Sequence, residues 1–273
     1  MSIPNTLFSP EVLSEATESL SKTGHATIPN VLDDSTVEAV LSRLWRAAEI
    51  NKQRGADTYI PDLDPNASNV RIFYLLELDS IFRDLIQQPG ALSIVRALLG
   101  PQVLVSNFTA NIARPGSGSM ALHSDQSLVV PAPWEEPWAI NIIWCLSDVY
   151  FENGATLFIP GSQRWTRKTD VPASAEEMLV PFTASKGSII AMDARVWHTS
   201  GKNVTADQER ALLFGYYTKP FLRQQVNWTA ALSEDVKQGL SEEGRDLLGL
   251  NVTANTGIVS DTAKGMDKYA PKT

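Results

Sequence analysis

The chain has only three histidines, His25, His123 and His198, and one of them opens the triplet His123-Ser124-Asp125. On an extended strand, residues i and i+2 project from the same face. The spacing therefore predicts a strand here, with an imidazole and a carboxylate side by side in one cavity. Two ligands of a single metal ion need that placement. A third ligand must come from elsewhere, and His198, in Val-Trp-His-Thr-Ser-Gly-Lys-Asn, is the candidate. Two histidines and one carboxylate with other positions left open make the facial triad of non-haem Fe(II) chemistry. The same donors also serve catalytic zinc. A lone His-X-Asp arises by chance, and His198 alone reads equally as a core histidine, so the surroundings have to decide.

The surroundings change character near residue 100. Pro10 to Leu20 carries apolar residues at helical spacing. Asp33-Asp-Ser-Thr suits the start of a second helix running to about Asn51. Residues 52–68 are polar, with Gly55, Pro61 and Pro65, and read as a loop placed where a lid could lie. Asn69 to Leu76 reads as a strand, with Arg71 on it either as a solvated charge or as a pocket group. Asp79 to Leu99 reads as two short helices capped by Gly100. From Val103 onward, β-branched and aromatic runs are broken by Gly and Pro. Strands are expected at 103–113, 138–146, 156–160, 187–193 and 210–217. Alternation on the first places Val105, Asn107, Thr109 and Asn111 on one face. Residues 221–250 are helical in pattern, and the polar tail 251–273 is expected to be partly ordered at best.

Net charge is −8 and the pI about 5.0, which argues against nucleic acid as a partner. The single cysteine, Cys145, permits no intrachain disulfide and fits a reducing compartment. There is no secretory signal at the N-terminus and no apolar stretch of membrane-spanning length. A cytoplasmic protein without a membrane partner is the expectation.

Gly154-Ala-Thr-Leu-Phe-Ile-Pro-Gly-Ser-Gln163 lies between the ligands, and His198-Thr-Ser-Gly-Lys-Asn with Arg210 downstream follows them. In that order these motifs resemble the phytanoyl-CoA dioxygenase-like family of Fe(II)/2-oxoglutarate dioxygenases. Within it, they look most like the fungal secondary-metabolite branch of meroterpenoid and alkaloid oxygenases. The resemblance covers roughly residues 20 to 220. It implies a β-rich α+β fold: a double-stranded β-helix, or cupin-like jelly roll, with flanking N-terminal and C-terminal helices. One domain is expected over 1–273, with a helical part at 1–100, the jelly-roll core at 103–220 and a helical, polar tail at 221–273. Gly24-His25 leading into Ile28-Pro-Asn-Val is similar to the family's opening strand, which makes His25 structural.

The resemblance further implies Fe(II) on His123, Asp125 and His198, with 2-oxoglutarate and O2 as co-substrates. Arg210 stands where the family places the arginine that grips the distal carboxylate of the oxo acid. A guanidinium suits that role because it binds a carboxylate through two parallel hydrogen bonds. Thr156 matches a co-substrate contact, and Arg71 is a further cofactor-binding candidate. One position departs: where related fungal enzymes often carry a glutamine, this chain has Met120, whose thioether donates no hydrogen bond. Asn107 or Asn111 could then supply the donor. Asp125 argues against halogenation, because related halogenases replace this carboxylate with a small residue.

The implied reaction is oxidation of a hydrophobic small-molecule natural product by hydroxylation, desaturation, epoxidation or rearrangement. The pocket is expected to be apolar, with Trp134, Trp138, Trp144, Trp165 and Phe158 as candidate linings. The resemblance also implies a homodimer. Two rivals remain at this point: a cupin-type hydrolase or isomerase that uses no oxo acid, and a non-enzymatic binding member of the fold. Arg210 separates the first from the favoured reading.

Overall fold

The computed structural model describes residues 3–251. The expected polar tail, beyond Asn251, lies outside the described residues. Helix α1 (Pro10–Thr23) starts at the Ser9 cap, whose hydroxyl accepts from the Val12 N–H, and stops at Gly24 in the left-handed region. Strand β1 (His25–Ile28) follows, then α2 (Asp34–Gln53), capped by the Asp33 carboxylate on the Thr36 N–H at 2.7 Å.

Strand β2 is shorter than expected, Asn69–Ile72. Tyr74 takes φ 58 and breaks the extended run, so Leu75–Leu78 turns into a one-turn helix, α3. Two further helices, α4 (Ser80–Leu85) and α5 (Pro89–Leu99), precede Gly100. Asp79 to Leu99 therefore holds the two short helices expected of it, and α3 is an addition, formed where the strand was expected to run on to Leu76. The Tyr-Leu-Leu-Glu-Leu run is apolar enough to read either way, and periodicity cannot separate short strands from short buried helices.

The remaining strands are β3 (Leu104–Ala113), β4 (Ala139–Cys145), β5 (Thr156–Phe158), β6 (Val180–Pro181), β7 (Ile189–Asp193), β8 (His198–Ser200) and β9 (Arg210–Thr218). Six form an antiparallel sheet in the order β1-β7-β4-β9-β3-β2, and three form a smaller one in the order β6-β5-β8. Short helices α6 (Trp228–Ala231), α7 (Glu234–Gln238) and α8 (Glu242–Leu247) close the described chain. This is the expected α+β jelly roll with flanking helices.

The period of two assigns each strand two faces. On β4, Ile140, Ile142 and Trp144 join the core shared with the helices, where Leu44, Phe82 and Val95 also lie. Ile143 and Cys145 point the other way, into a second core between the sheets with Phe158, Ile190, Met192 and Leu212. Burial there pushes the Cys145 thiol up to about 12, so it stays protonated.

Strand β3 carries a bulge. Val105 pairs with Tyr217 and Asn107 with Tyr216, leaving Ser106 as the extra residue. Val105 is thereby turned into the helix-side core, while Asn107, Thr109 and Asn111 keep the inner face. The four residues expected on one face are thus three. The bulge also frees main-chain groups for the C-terminal segment. The Val105 carbonyl accepts from Gln224 Nε2 and Trp228 Nε1, and the Ser106 carbonyl accepts from the Val226 N–H.

Candidate metal centre

His123 and His198 face each other as a reciprocally bonded antiparallel pair. The His123 N–H donates to the His198 carbonyl at 3.0 Å, and the His198 N–H returns to the His123 carbonyl at 2.8 Å. This pairing lays the chain before Asp125 beside β8 and brings the two imidazoles to 4.3 Å between ring centroids. Two further bonds hold the register: Thr199 Oγ1 donates to the Met120 carbonyl, and the Met120 N–H to Ser200 Oγ.

Asp125 does not continue the strand. It opens a turn of 3-10 helix, Asp125–Leu128. Ser124 is still extended, at φ −126 and ψ 132, so the side chains of 123 and 125 meet despite the turn. Asp125 Oδ1 lies 3.7 Å from His123 Nε2 and 3.9 Å from His198 Nε2. One donor atom from each of the three residues fits within a mutual spacing of 4.8 Å, the spread that ligands of one small cation have.

The outer contacts prepare these donors. His123 Nδ1 lies 2.8 Å from the Ala121 carbonyl, and His198 Nδ1 lies 3.0 Å from the Val196 carbonyl. A carbonyl only accepts, so each Nδ1 carries the proton and each Nε2 offers its lone pair to the cavity. Burial lowers the His198 pKa, and Asp125 opposes this less strongly; a neutral imidazole is the ligating form. Asn141 Nδ2 donates to Asp125 Oδ2 at 2.6 Å, which leaves Oδ1 as the oxygen turned toward the histidines. Asn141 was not foreseen. Its signal was there, as the one polar residue in the run Ala-Ile-Asn-Ile-Ile-Trp-Cys. Replacing Asn141 with leucine is expected to weaken Fe(II) binding by about 10–100-fold, the usual scale for a group that orients a ligand. Calorimetric titration of the metal into both proteins measures it.

A cavity of about 170 Å³ opens beside these three residues. Arg71, Thr156 and Arg210 line it, together with Asn107, Asn111 and Tyr216. Arg210 is 1% exposed. Its Nε donates to the Gly154 carbonyl at 3.0 Å and its Nη1 to the Asn111 carbonyl at 3.2 Å. Gly154 sits at φ 85, and an added Cβ would lie 3.2 Å from both the Asn203 nitrogen and the Gly201 oxygen. A glycine is needed for that carbonyl to reach Arg210. Burial lowers the Arg210 pKa to about 10, so it remains a cation at neutral pH. Among the described residues, no carboxylate pairs with it.

Arg71 resolves to the pocket side of its two readings. Its Nε and Nη2 bond the buried Asp64 carboxylate at 2.6 and 2.9 Å, and Nη2 also meets Met120 Sδ at 2.9 Å. Asp64 comes from the polar segment that read as a loop, and the Arg71 N–H bonds the Thr58 carbonyl at 2.7 Å. That segment is strapped to β2.

The expected apolar lining is corrected. Trp144 lies in the helix-side core, Phe158 stacks on Phe182, and Trp165 packs with Ile159 and Trp197. Trp134 is fastened by its Nε1 to the Val129 carbonyl, and Trp138 meets Phe221 edge-on. None of the five lines the cavity; the aromatic walls are Phe214 and Tyr216. Aromatic side chains serve cores more often than pockets, and composition does not tell the two apart. His25 packs against Phe158 at 4.3 Å between ring centroids, on the inter-sheet core, and is not one of the three clustered donors.

Comparison with known proteins fits this geometry. The chain is 52% identical over 239 residues to "Dioxygenase af480" of Aspergillus fumigatus, covering 88% of this chain and 77% of that protein. The carbocyclase SnoK from nogalamycin biosynthesis, described as non-haem and alpha-ketoglutarate dependent, superposes with a TM-score of 0.64 at 19% identity. That match covers 83% of this chain and 91% of SnoK. HygX from Streptomyces hygroscopicus, solved with nickel and 2-oxoglutarate bound, gives a TM-score of 0.62 at 16% identity, covering 84% and 94%. At such identities the two structures share the fold, the double-stranded β-helix.

The protein is a non-haem Fe(II)/2-oxoglutarate-dependent dioxygenase. The chain belongs to the phytanoyl-CoA dioxygenase (PhyH) family, whose profile matches residues 20–211. Among the described residues, no helix is long and apolar enough to cross a membrane.

Proposed function

We propose that the protein oxidises a hydrophobic small-molecule natural product in secondary metabolism, with Fe(II) on His123, Asp125 and His198 and 2-oxoglutarate seated against Arg210. The observation that carries this is the buried guanidinium of Arg210, on the cavity the triad also lines and without a carboxylate partner among the described residues. A buried charge without a partner is costly, and a carboxylate ligand offsets that cost.

Charge matching supports a dianion. Asp64 already balances Arg71, so Arg210 contributes one uncompensated positive charge. A divalent ion held by Asp125 contributes a second. A dicarboxylate cancels both. Thr156, buried on β5 at the cavity wall, offers a hydroxyl to the same ligand. Arg71 keeps Nη1 outside its fork with Asp64, on the same sheet as Arg210 with β3 between them.

When bound, the iron supplies dioxygen activation coupled to decarboxylation of the oxo acid. The chain's own residues do the rest. His123, Asp125 and His198 would hold the ion and leave its other positions to the co-substrates. Burial raises the Tyr216 pKa far above the ordinary phenol range, so its hydroxyl stays neutral next to Asp125. A carboxylate at position 125 takes the place a halide would need, and the products are those of oxygenation: hydroxylation, desaturation, epoxidation or rearrangement.

The cavity of about 170 Å³ lies below the ~300–1,000 Å³ typical of ligand sites and suits an oxo acid of the size of 2-oxoglutarate.

The test is anaerobic addition of Fe(II) and 2-oxoglutarate with visible absorption as readout. A chelated oxo acid on a triad-held iron gives a weak charge-transfer band, expected here and lost in Asp125→Ala. Metal binding without a band moves the assignment to a hydrolase or isomerase of the same fold.

A further inference from the structure

We infer that the side-chain amide of Asn111 is a direct contact for the distal carboxylate of the co-substrate, completing with Arg210 a cradle for that anion. The inference rests on the co-substrate reading above and extends it to a residue on β3.

Asn111 is 7% exposed and faces the cavity. Its Oδ1 is buried and has no hydrogen-bond partner among the described residues. Buried polar side-chain atoms are satisfied in the large majority of cases, so a single orphan on a cavity wall points to a ligand. The neighbours say what kind. Asn111 is the cross-strand partner of Arg71, and its own carbonyl accepts from Arg210 Nη1. It therefore sits against the Arg210 guanidinium, which no carboxylate among the described residues balances, so an anion is attracted there and a cation repelled.

The two ends of an asparagine amide are close to isosteric, and a half-turn about the terminal bond exchanges acceptor for donor. With Nδ2 turned inward, Asn111 donates to a carboxylate oxygen while Arg210 donates to the same group. Met120, on the facing segment, has only a thioether to offer and already meets Arg71. The other asparagine amides on the cavity are engaged: Asn107, two positions further out on the same face, donates to Gln225 Oε1, and Asn141 donates to Asp125.

Two oxo acids separate the distal carboxylate from the chelating end. 2-Oxoglutarate carries both, and 2-oxobutyrate carries only the end that chelates the metal. Their affinities for the Fe(II)-loaded protein are measured anaerobically by titrating the visible band, for the wild type, Asn111→Leu and Asn111→Asp. Metal affinity is measured separately by calorimetry, and folding by thermal melting. Asn111→Asp keeps the shape of the side chain and guards against a misfolded leucine variant.

Loss of one hydrogen bond to a charged group weakens 2-oxoglutarate about thirtyfold in Asn111→Leu. Asn111→Asp, which adds a like charge, weakens it further. In both variants 2-oxobutyrate and Fe(II) bind as in the wild type. Equal loss for the two oxo acids would mark Asn111 as a structural residue, and unchanged 2-oxoglutarate affinity would mean a water satisfies the amide; either overturns the inference. A wild type that binds Fe(II) but neither oxo acid removes the co-substrate reading itself, a result distinct from both.

Discussion

His198→Ala is expected to lose Fe(II) binding and turnover while the protein remains folded. The structural work at position 198 is done by the main chain. Its N–H and carbonyl make the reciprocal pair with His123, and alanine keeps both. The imidazole contributes a lone pair on Nε2 and one bond from Nδ1 to the Val196 carbonyl. Removing it opens a small polar space at the cavity wall, not a void in either apolar core. Structural Zn²⁺ held by four protein ligands binds with about 10–16 kcal/mol, roughly 3 kcal/mol per ligand, and on that scale loss of one ligand costs about a hundredfold in affinity. Calorimetry gives the metal affinity, and circular dichroism with thermal melting gives the fold. A variant that fails to accumulate as folded protein would mean that the imidazole is a core side chain after all, and the three-ligand reading would lose its buried member.

The parts of this site that the sequence disclosed share one property: their meaning depends on spacing along the chain. His123 and Asp125 converge because Ser124 is extended, and that survived the unforeseen 3-10 turn at Asp125. Arg210 was legible as the polar start of an apolar strand, and the structure buries it. What stayed hidden depends on contacts between distant segments. Asp64 looks like any acidic loop residue until the fold sets it against Arg71. The role of Asn141 appears only when β4 is laid beneath Asp125. The bulge at Ser106 shifts the apolar phase from Val103 and Val105 to Phe108, Ala110 and Ile112 across the polar pair Ser106-Asn107, and a single alternation carried through that pair assigned Val105 to the wrong face. The tryptophans misled for a related reason. A large apolar side chain is equally at home in the helix-side core, between the sheets or at a pocket mouth, and only the packing distinguishes them.

Arg210→Met is expected to leave stability nearly unchanged while co-substrate binding is lost. Methionine fills much of the same volume and brings no charge into a fully buried position. The wild type bears the desolvation of a guanidinium that has no acid partner among the described residues; its donors reach only the carbonyls of Gly154 and Asn111. Removing the charge relieves that cost, while the two carbonyls lose a donor each, at about 1–3 kcal/mol for each group left unsatisfied. The two effects oppose, and the melting midpoint of the ligand-free variant is expected to fall within a few degrees of wild type, unlike the usual result of deleting a wholly buried side chain. Co-substrate binding has no such compensation. A paired charge-assisted contact of about 3 kcal/mol or more is lost, so 2-oxoglutarate affinity drops at least a hundredfold. Ligand binding to the native state raises the melting temperature by mass action, which gives a direct comparison in one instrument. Fe(II) and 2-oxoglutarate together should raise the midpoint of the wild type above that with Fe(II) alone, and should add nothing in Arg210→Met. If the variant melts far lower without ligand and still gains from 2-oxoglutarate, Arg210 is a structural strut between β9 and the Gly154 turn, and the co-substrate anion is held elsewhere in the cavity.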